Sequence, residues 1–467
     1  MPIEPIVVKK FKRGSKACEP LSAKKLDLTG DLTVTQHMAF LRGAYFLAQD
    51  MQGILEHEVL AIGRARWRTI FYAFDGERWE KRLFLENAQV ENYAIDADSN
   101  FYFIAVQYRA IDHNSDDCAE FCVGCIDKQG DLLWQYSCRD EGEEMFEELH
   151  SLVNERRCGE ILINEDQLLL LYAIPNTESA VKIKARDLNG RELWTREIKN
   201  AGNVLDKYAL AVNDGIIEVL HGNYLERFSK DGEDLGRIVF DPSYWIEHLW
   251  RFDQKIIFSV NRGTWKERYF IFDGPDWLIE YDRTTGETRV LDNVNLCGAY
   301  SYYYAGKYFS TGGGFDNEQG EMDMALCIER EPGDVLKILE VVQHLAGCPV
   351  ADDFGSIYLI SDVAFPSRKT RKLQRIVLSP DNKIIKNDVY KSQEKDLLAI
   401  SKVLYHHGKI YVISLWQGNK KEQELYRAKE RTGEIPGGLL PIEELDVYDL
   451  EKAGTDMKTG LTIIEAK

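Results

Sequence analysis

The segment DDCAEFCVGC sets Cys118, Cys122 and Cys125 in Cys-x3-Cys-x2-Cys spacing, with Cys138 following. Thiolates so close together can hold an iron–sulfur cluster or, with the fourth cysteine, zinc. The same residues lead directly into the turn IDKQGDLLW around Gly130, which marks them as a strand entering a hairpin. On a regular strand Cys122 and Cys125, three apart, point to opposite faces, so a shared metal would need a bulge. They are expected to be small buried hydrophobes, and no metal or cofactor is predicted. The histidines are dispersed, none in an HExxH pattern; adjacent His406 and His407 sit in a turn where their side chains diverge, and His113, Asp116 and Asp117 form a polar loop.

Two further segments could bind rather than react. In STGGGFDNEQGEMDM, Gly312, Gly313 and Gly314 permit close backbone approach, while Asp316, Glu318, Glu321 and Asp323 offer oxygens to a hard cation. The stretch lacks both EF-hand spacing and the Lys and Ser or Thr of a phosphate loop, and it is expected to be a solvated loop. The aromatic-rich region from Tyr244 to Trp277 contains a long connection, RGTWKERYFIFDGPDW. It is the segment best able to present Trp265 and Trp277 at a surface, and these two are the predicted partner-binding residues. No catalytic residues are assigned.

The elements that must carry these residues are hairpins of two kinds, alternating along the chain. The first kind turns into a strongly apolar strand, at Gly43, Asn100, Gln167, Gly215, Gln254, Gly306, Gly355 and Gly408. The second runs through an Asp or polar residue and a Gly turn into a Trp or aliphatic return. Its clearest copies are at Asp75, Gly76 and Trp79; at Asp127, Gly130 and Trp134; and at Asp187, Gly190 and Trp194. Weaker copies lie at Gly232, Gly286, Gly333, Asp381 and Gly433. Turn-forming residues followed by Ile, Val, Phe and Tyr favour antiparallel strands. The period of about fifty residues is the length of four short strands with their loops.

This pattern predicts an all-β chain: a β-propeller of four-stranded antiparallel blades, eight in number, with seven as the alternative. A single meander cannot bury both of its faces, and stacking against neighbours covers them. The tryptophans at 79, 134 and 194 are expected to wedge between adjacent blades. The propeller is placed at residues 31–435. Residues 1–30 form an N-terminal segment able to complete the last blade, and residues 436–467 a linker and closing hairpin or tail.

The repeats IDKQGDLLWQY and RDLNGRELWTREI resemble the blade motif of the PQQ-like, or quinoprotein-like, β-propellers. The resemblance implies seven or eight blades with pockets near a central channel. It covers a family that includes quinone-dependent dehydrogenases and assembly scaffolds without chemistry. The enzyme members carry an adjacent Cys pair beside the cofactor, and this chain has none, so the cofactor does not follow.

Composition narrows the class. The chain has 467 residues, 44% of them apolar, and a formal net charge of -19. Such an acidic surface repels nucleic-acid backbones and anionic lipid, although Lys9 to Lys25 is locally basic. There is no secretory h-region after the first charges and no long apolar span, and the nine cysteines are irregularly spaced. A cytoplasmic protein is expected, with neither nucleic-acid nor membrane partners. The functional expectation is a noncatalytic interaction scaffold that binds a protein partner through loops on one face. The alternative is an enzyme or a propeller binding a small molecule or metal at its central channel, drawing single residues from several blades.

Overall fold

The computed structural model describes residues 6–10, 33–34, 39–40, 44–49, 59–65, 68–74, 79–109, 118–137, 159–174, 180–198, 208–221, 223–241, 244–252, 255–266, 269–272, 277–290, 297–304, 307–315, 322–331, 334–342, 350–352, 354–362, 371–381, 383–391, 397–406, 408–417 and 457–465. All regular structure among them is β, in eight antiparallel sheets of four or five strands. The second sheet is typical: Ala88–Ile95, Phe101–Arg109, Cys118–Ile126 and Leu132–Ser137 pair in sequence order. The third (Glu160–Asn164 to Glu192–Ile198) and fourth (Tyr208–Asn213 to Asp234–Val239) repeat that order. Seven of the predicted apolar strands, from Phe101–Arg109 to Lys409–Gln417, are the second strands of their sheets. The eighth differs: Ala44–Gln49, after Gly43, is the first strand of its sheet, and Val59–Ala65 is the second.

Successive sheets stack face against face in a propeller-like sequence, and the period-2 alternation of each strand shows how. Along Phe101–Arg109, Phe101, Phe103 and Ala105 join Leu83, Leu85 and Val90 in a core between the first and second sheets. Tyr102 and Ile104 point the other way, joining Leu168 and Leu170 between the second and third. Leu169 and Leu171 with Leu210 and Val219 fill the next gap, and Leu220 with Phe258 and Ile279 the one after. Strands apolar on both faces are what such stacking demands, which explains runs such as QLLLLYAI.

Residues near the N-terminus contribute outer strands to two sheets. Val8–Lys10 pairs with Trp79–Leu85 as a fifth strand of the first sheet. Thr33–Val34 and Ala39–Phe40 pair with Met457–Glu465, itself the third strand of the sheet begun by Leu397–His406. Strands from the two termini thus share one sheet. The predicted hairpin at Gly433 lies outside the described residues. No helix among the described residues is long and apolar enough to cross a membrane.

Candidate interaction surfaces

In a four-stranded meander the first and third turns lie at one end and the second turn at the other. In this chain the two ends differ in construction. At the first end the turns are tight and self-contained. Asp127 Oδ1 accepts the N–H groups of Gln129 and Asp131, both at 2.8 Å, and Asp187 Oδ1 does the same for Asn189 and Arg191. Ser229 and Ser379 replace Asp in two of the weaker copies, each accepting the N–H four residues on at 3.0 Å. In the first-turn position, Asp96 and Asp352 each accept two backbone N–H groups and also the hydroxyl of a tyrosine, Tyr102 and Tyr358, at 2.9 Å. Burial and these carboxylates push both phenols up in pKa. The signal for this second device, an Asp six residues before a Tyr, was present in the sequence but masked by the commoner Gly turn.

The turns also lock neighbouring sheets. Trp134 Nε1–H donates to Leu188 O at 3.1 Å, and Trp194 Nε1–H to Lys230 O at 2.9 Å, each reaching the turn of the next sheet. Gly190 and Gly232 there have φ of 85° and 76°, and a methyl on either would lie 2.9 or 2.6 Å from the tryptophan ring. The predicted wedge is thus present at 134 and 194. The side chain of Trp79 lies outside the described residues, and the space above Gly130 is taken by Leu83, 2.6 Å from where a methyl would sit.

Charged groups reinforce the same end. Lys230 bridges to Glu165 at 2.6 Å and Asp166 at 2.8 Å across the third and fourth sheets, which raises the pKa of the ammonium and lowers that of Asp166. Glu218 and Arg283, 5% and 8% exposed, pair at 2.6 Å between the fourth and fifth sheets. Near the opposite end of the fourth sheet, Glu226 Oε1 is 3.2 Å from Nε2 of the fully buried His221 and 2.7 Å from Arg237.

The end opposite the tight turns carries the long connections, and most of the residues singled out from sequence map to it. Arg109 and Cys118 pair across the mouth of the 110–117 connection, which contains His113, Asp116 and Asp117 and lies outside the described residues. Cys122 belongs to the core between the first and second sheets, Cys125 to that between the second and third, so the two thiols do not converge. Burial pushes the Cys125 thiol up to about 12. Gly312, Gly313 and Gly314 differ from expectation: they belong to the strand Lys307–Phe315, paired with Ala325, Met324 and Asp323, and only 316–321 remain as the connection. His406 closes the strand Leu397–His406 opposite Lys409, at the tight-turn end.

Trp265 lies within, and Trp277 follows, the most elaborated connection among the described residues. The strand Lys255–Lys266 runs beyond its partner Trp277–Asp282, whose first residue is opposite Val260, and folds into an extra hairpin with Tyr269–Phe272. Trp265 is opposite Phe270 in that hairpin. The side chains of both tryptophans lie outside the described residues. Sequence reasoning missed a third group: Leu133, Leu193, Leu235 and Ile385, each in the bulge after a tight turn, are 46–66% exposed on outer strands.

No family model matches the chain, and no curated protein matches it. Among solved structures it is similar to the β-propeller domain of the trilobed protease from Pyrococcus furiosus, with 10% identity over 70% of this chain and 89% of that one, TM-score 0.39. It is similar to the Pan2 WD40 domain of Neurospora crassa, 9% identical over 79% of this chain and 86% of that one, TM-score 0.37. The acylaminoacyl peptidase of Pyrococcus horikoshii is 10% identical over 71% of this chain and 49% of its own, TM-score 0.38.

Proposed function

We propose that this chain is a PQQ-like β-propeller that acts as a noncatalytic interaction scaffold, binding a protein partner through the connections at the end bearing Trp265 and Trp277. The observation that carries the reading is the hairpin 263–272, by which the strand Lys255–Lys266 runs past its partner Trp277–Asp282 at the end opposite the tight turns. At the opposite end Asp127 and Asp187 hold their own turns, and Trp134 and Trp194 cover the glycines of the next. Eight blades fit the sheet order, and pairing of Thr33–Val34 and Ala39–Phe40 with Met457–Glu465 would close the ring through backbone hydrogen bonds between strands from the two ends of the chain. A reducing cytoplasm suits the buried thiols Cys122 and Cys125, which form no disulfide with one another.

The test is affinity capture with the tagged full chain, followed by Trp265→Ala and Trp277→Ala against the strongest retained protein. Aromatic anchors of this kind lose about tenfold or more in affinity on truncation. If neither variant weakens capture, or if the purified protein retains no protein but carries an organic molecule or metal by mass spectrometry, the scaffold reading fails.

A further inference from the structure

Residues 6–10 demonstrate how this fold takes an added strand. Val8, Lys9 and Lys10 lie opposite Leu85, Phe84 and Leu83 on the outer edge of the first sheet. Ile6 is buried to 4% exposure in the core below, and its N–H donates at 2.7 Å to Gln135 Oε1 of the second sheet. Lys9 pairs with Glu86 at 2.9 Å and Lys10 with Asp131 at 2.6 Å. The occupant is therefore apolar and then basic, Ile-Val-Val-Lys-Lys. The receiving surface is a strand edge on one sheet and a carboxylate just after the glycine turn of the next.

The third and fourth sheets repeat part of that geometry, a strand edge beside a carboxylate just after a glycine turn, while Arg237, paired with Glu226, stands where Gln135 accepts the Ile6 N–H. Leu83 and Trp194 hold comparable positions relative to a bulge: each is the first paired residue after it, opposite Phe71 and Ala185. Each also fills the space above the glycine of the following sheet, Gly130 or Gly232. Arg196 then corresponds to Leu85, and Glu233, next to Gly232, corresponds to Asp131, next to Gly130. Among the described residues no strand pairs with the outer edge of Glu192–Ile198. Leu193 on that edge is 47% exposed, and Glu233 is exposed. The Thr195 carbonyl takes a local bond from Arg196 Nη1 at 3.1 Å, which an incoming strand would compete with.

We propose that the outer edge of Glu192–Ile198 accepts an extended apolar–basic segment of a partner protein as a fifth strand, a lysine or arginine of that segment pairing with Glu233. Backbone pairing supplies affinity in strand addition, and side-chain complementarity supplies choice. A basic occupant also suits the net charge of -19. This surface is separate from the Trp265 and Trp277 end.

The experiment uses a fluorescent peptide with the sequence of residues 4–13, EPIVVKKFKR, which carries the chemistry that the first sheet accepts. Saturable binding to the full chain is expected by anisotropy. Glu233→Lys should weaken it about tenfold through charge reversal, whereas Asp131→Lys, Trp265→Ala and Trp277→Ala should leave it unchanged. Circular dichroism checks that the variants fold; Leu193→Asp provides a second lesion on the same edge and should also weaken binding. Absence of saturable binding overturns the proposal. So does loss with Asp131→Lys but not Glu233→Lys, which would mean exchange with the chain's own residues 6–10. Self-association in sedimentation that Glu233→Lys abolishes would assign the edge to a second copy instead, and overturns it as well.

Discussion

Trp134 lies over Gly190, the ring on the outer strand of one sheet and the glycine in the turn of the next, with the indole N–H tied to the Leu188 carbonyl beside it. The ring also stacks on Tyr136 at 5.6 Å, over which Arg186 sits at 3.7 Å. Glycine is required twice at this position, by the left-handed backbone and by the missing methyl. Gly190→Ala should cost about 1–3 kcal/mol and Trp134→Ala about 3 kcal/mol in urea unfolding. In the Trp134→Ala background the steric part of the Gly190→Ala cost should vanish, leaving about 1 kcal/mol of backbone strain, so the double-mutant cycle must be non-additive.

Gly124 provides a second close approach, within a strand. A methyl there would meet Phe103 Cζ at 2.6 Å across the pair Gly124–Phe103. Gly124→Ala is expected to destabilise by about 1–3 kcal/mol, with Phe103→Leu restoring part of the loss by withdrawing the ring edge. Equal destabilisation in both backgrounds, measured by urea midpoint, would show that the contact is not the cause.

Removing one member of the Glu218–Arg283 pair strands a buried charge. Arg283→Met should therefore cost about 3–5 kcal/mol, far more than an exposed ion pair. Adding Glu218→Gln removes the orphaned carboxylate and should recover more than half of that loss. Thermal unfolding of the two variants distinguishes this from a simple loss of packing.

Alkaline and acid behaviour follow from groups on different parts of the sheets. Burial raises the Cys125 thiol from 9.0 to about 12, so its stabilising contribution is complete below pH 9 and is lost as pH rises toward 12. Cys125→Ala should flatten the decline of stability over that window, and native Cys125 should resist alkylation at pH 8. Asp381, bound to Lys383 and Ser379, is lowered from 3.8 to about 2. Its contribution is present above pH 4 and lost as pH falls toward 2, so Asp381→Asn should reduce the acid sensitivity of unfolding.

The strands were legible because their signals are local. Gly130, Gly190 and Gly232 demand particular backbone angles, and apolar runs such as QLLLLYAI suit a layer covered on both sides. Even the divergence of Cys122 and Cys125 followed from strand periodicity alone, since an odd separation places side chains on opposite faces. The Asp96–Tyr102 and Asp352–Tyr358 bonds were less visible, because a bond across a turn leaves only a spacing and no unusual residue.

By itself the amino-acid order determined the unit: an antiparallel meander, its turns, its buried faces and its repetition. Pairing over long chain separations needed the tertiary structure, because the partner of an edge strand is chosen by what lies beside it in space. That is why Val8–Lys10 joins the first sheet, why Thr33–Val34 joins a sheet with Met457–Glu465, and why Gly312–Gly314 extend a strand despite their loop-like composition. Neighbouring sheets likewise decided that Leu83 covers Gly130 while Trp134 and Trp194 cover Gly190 and Gly232, since the shape of a gap between two sheets belongs to neither strand alone.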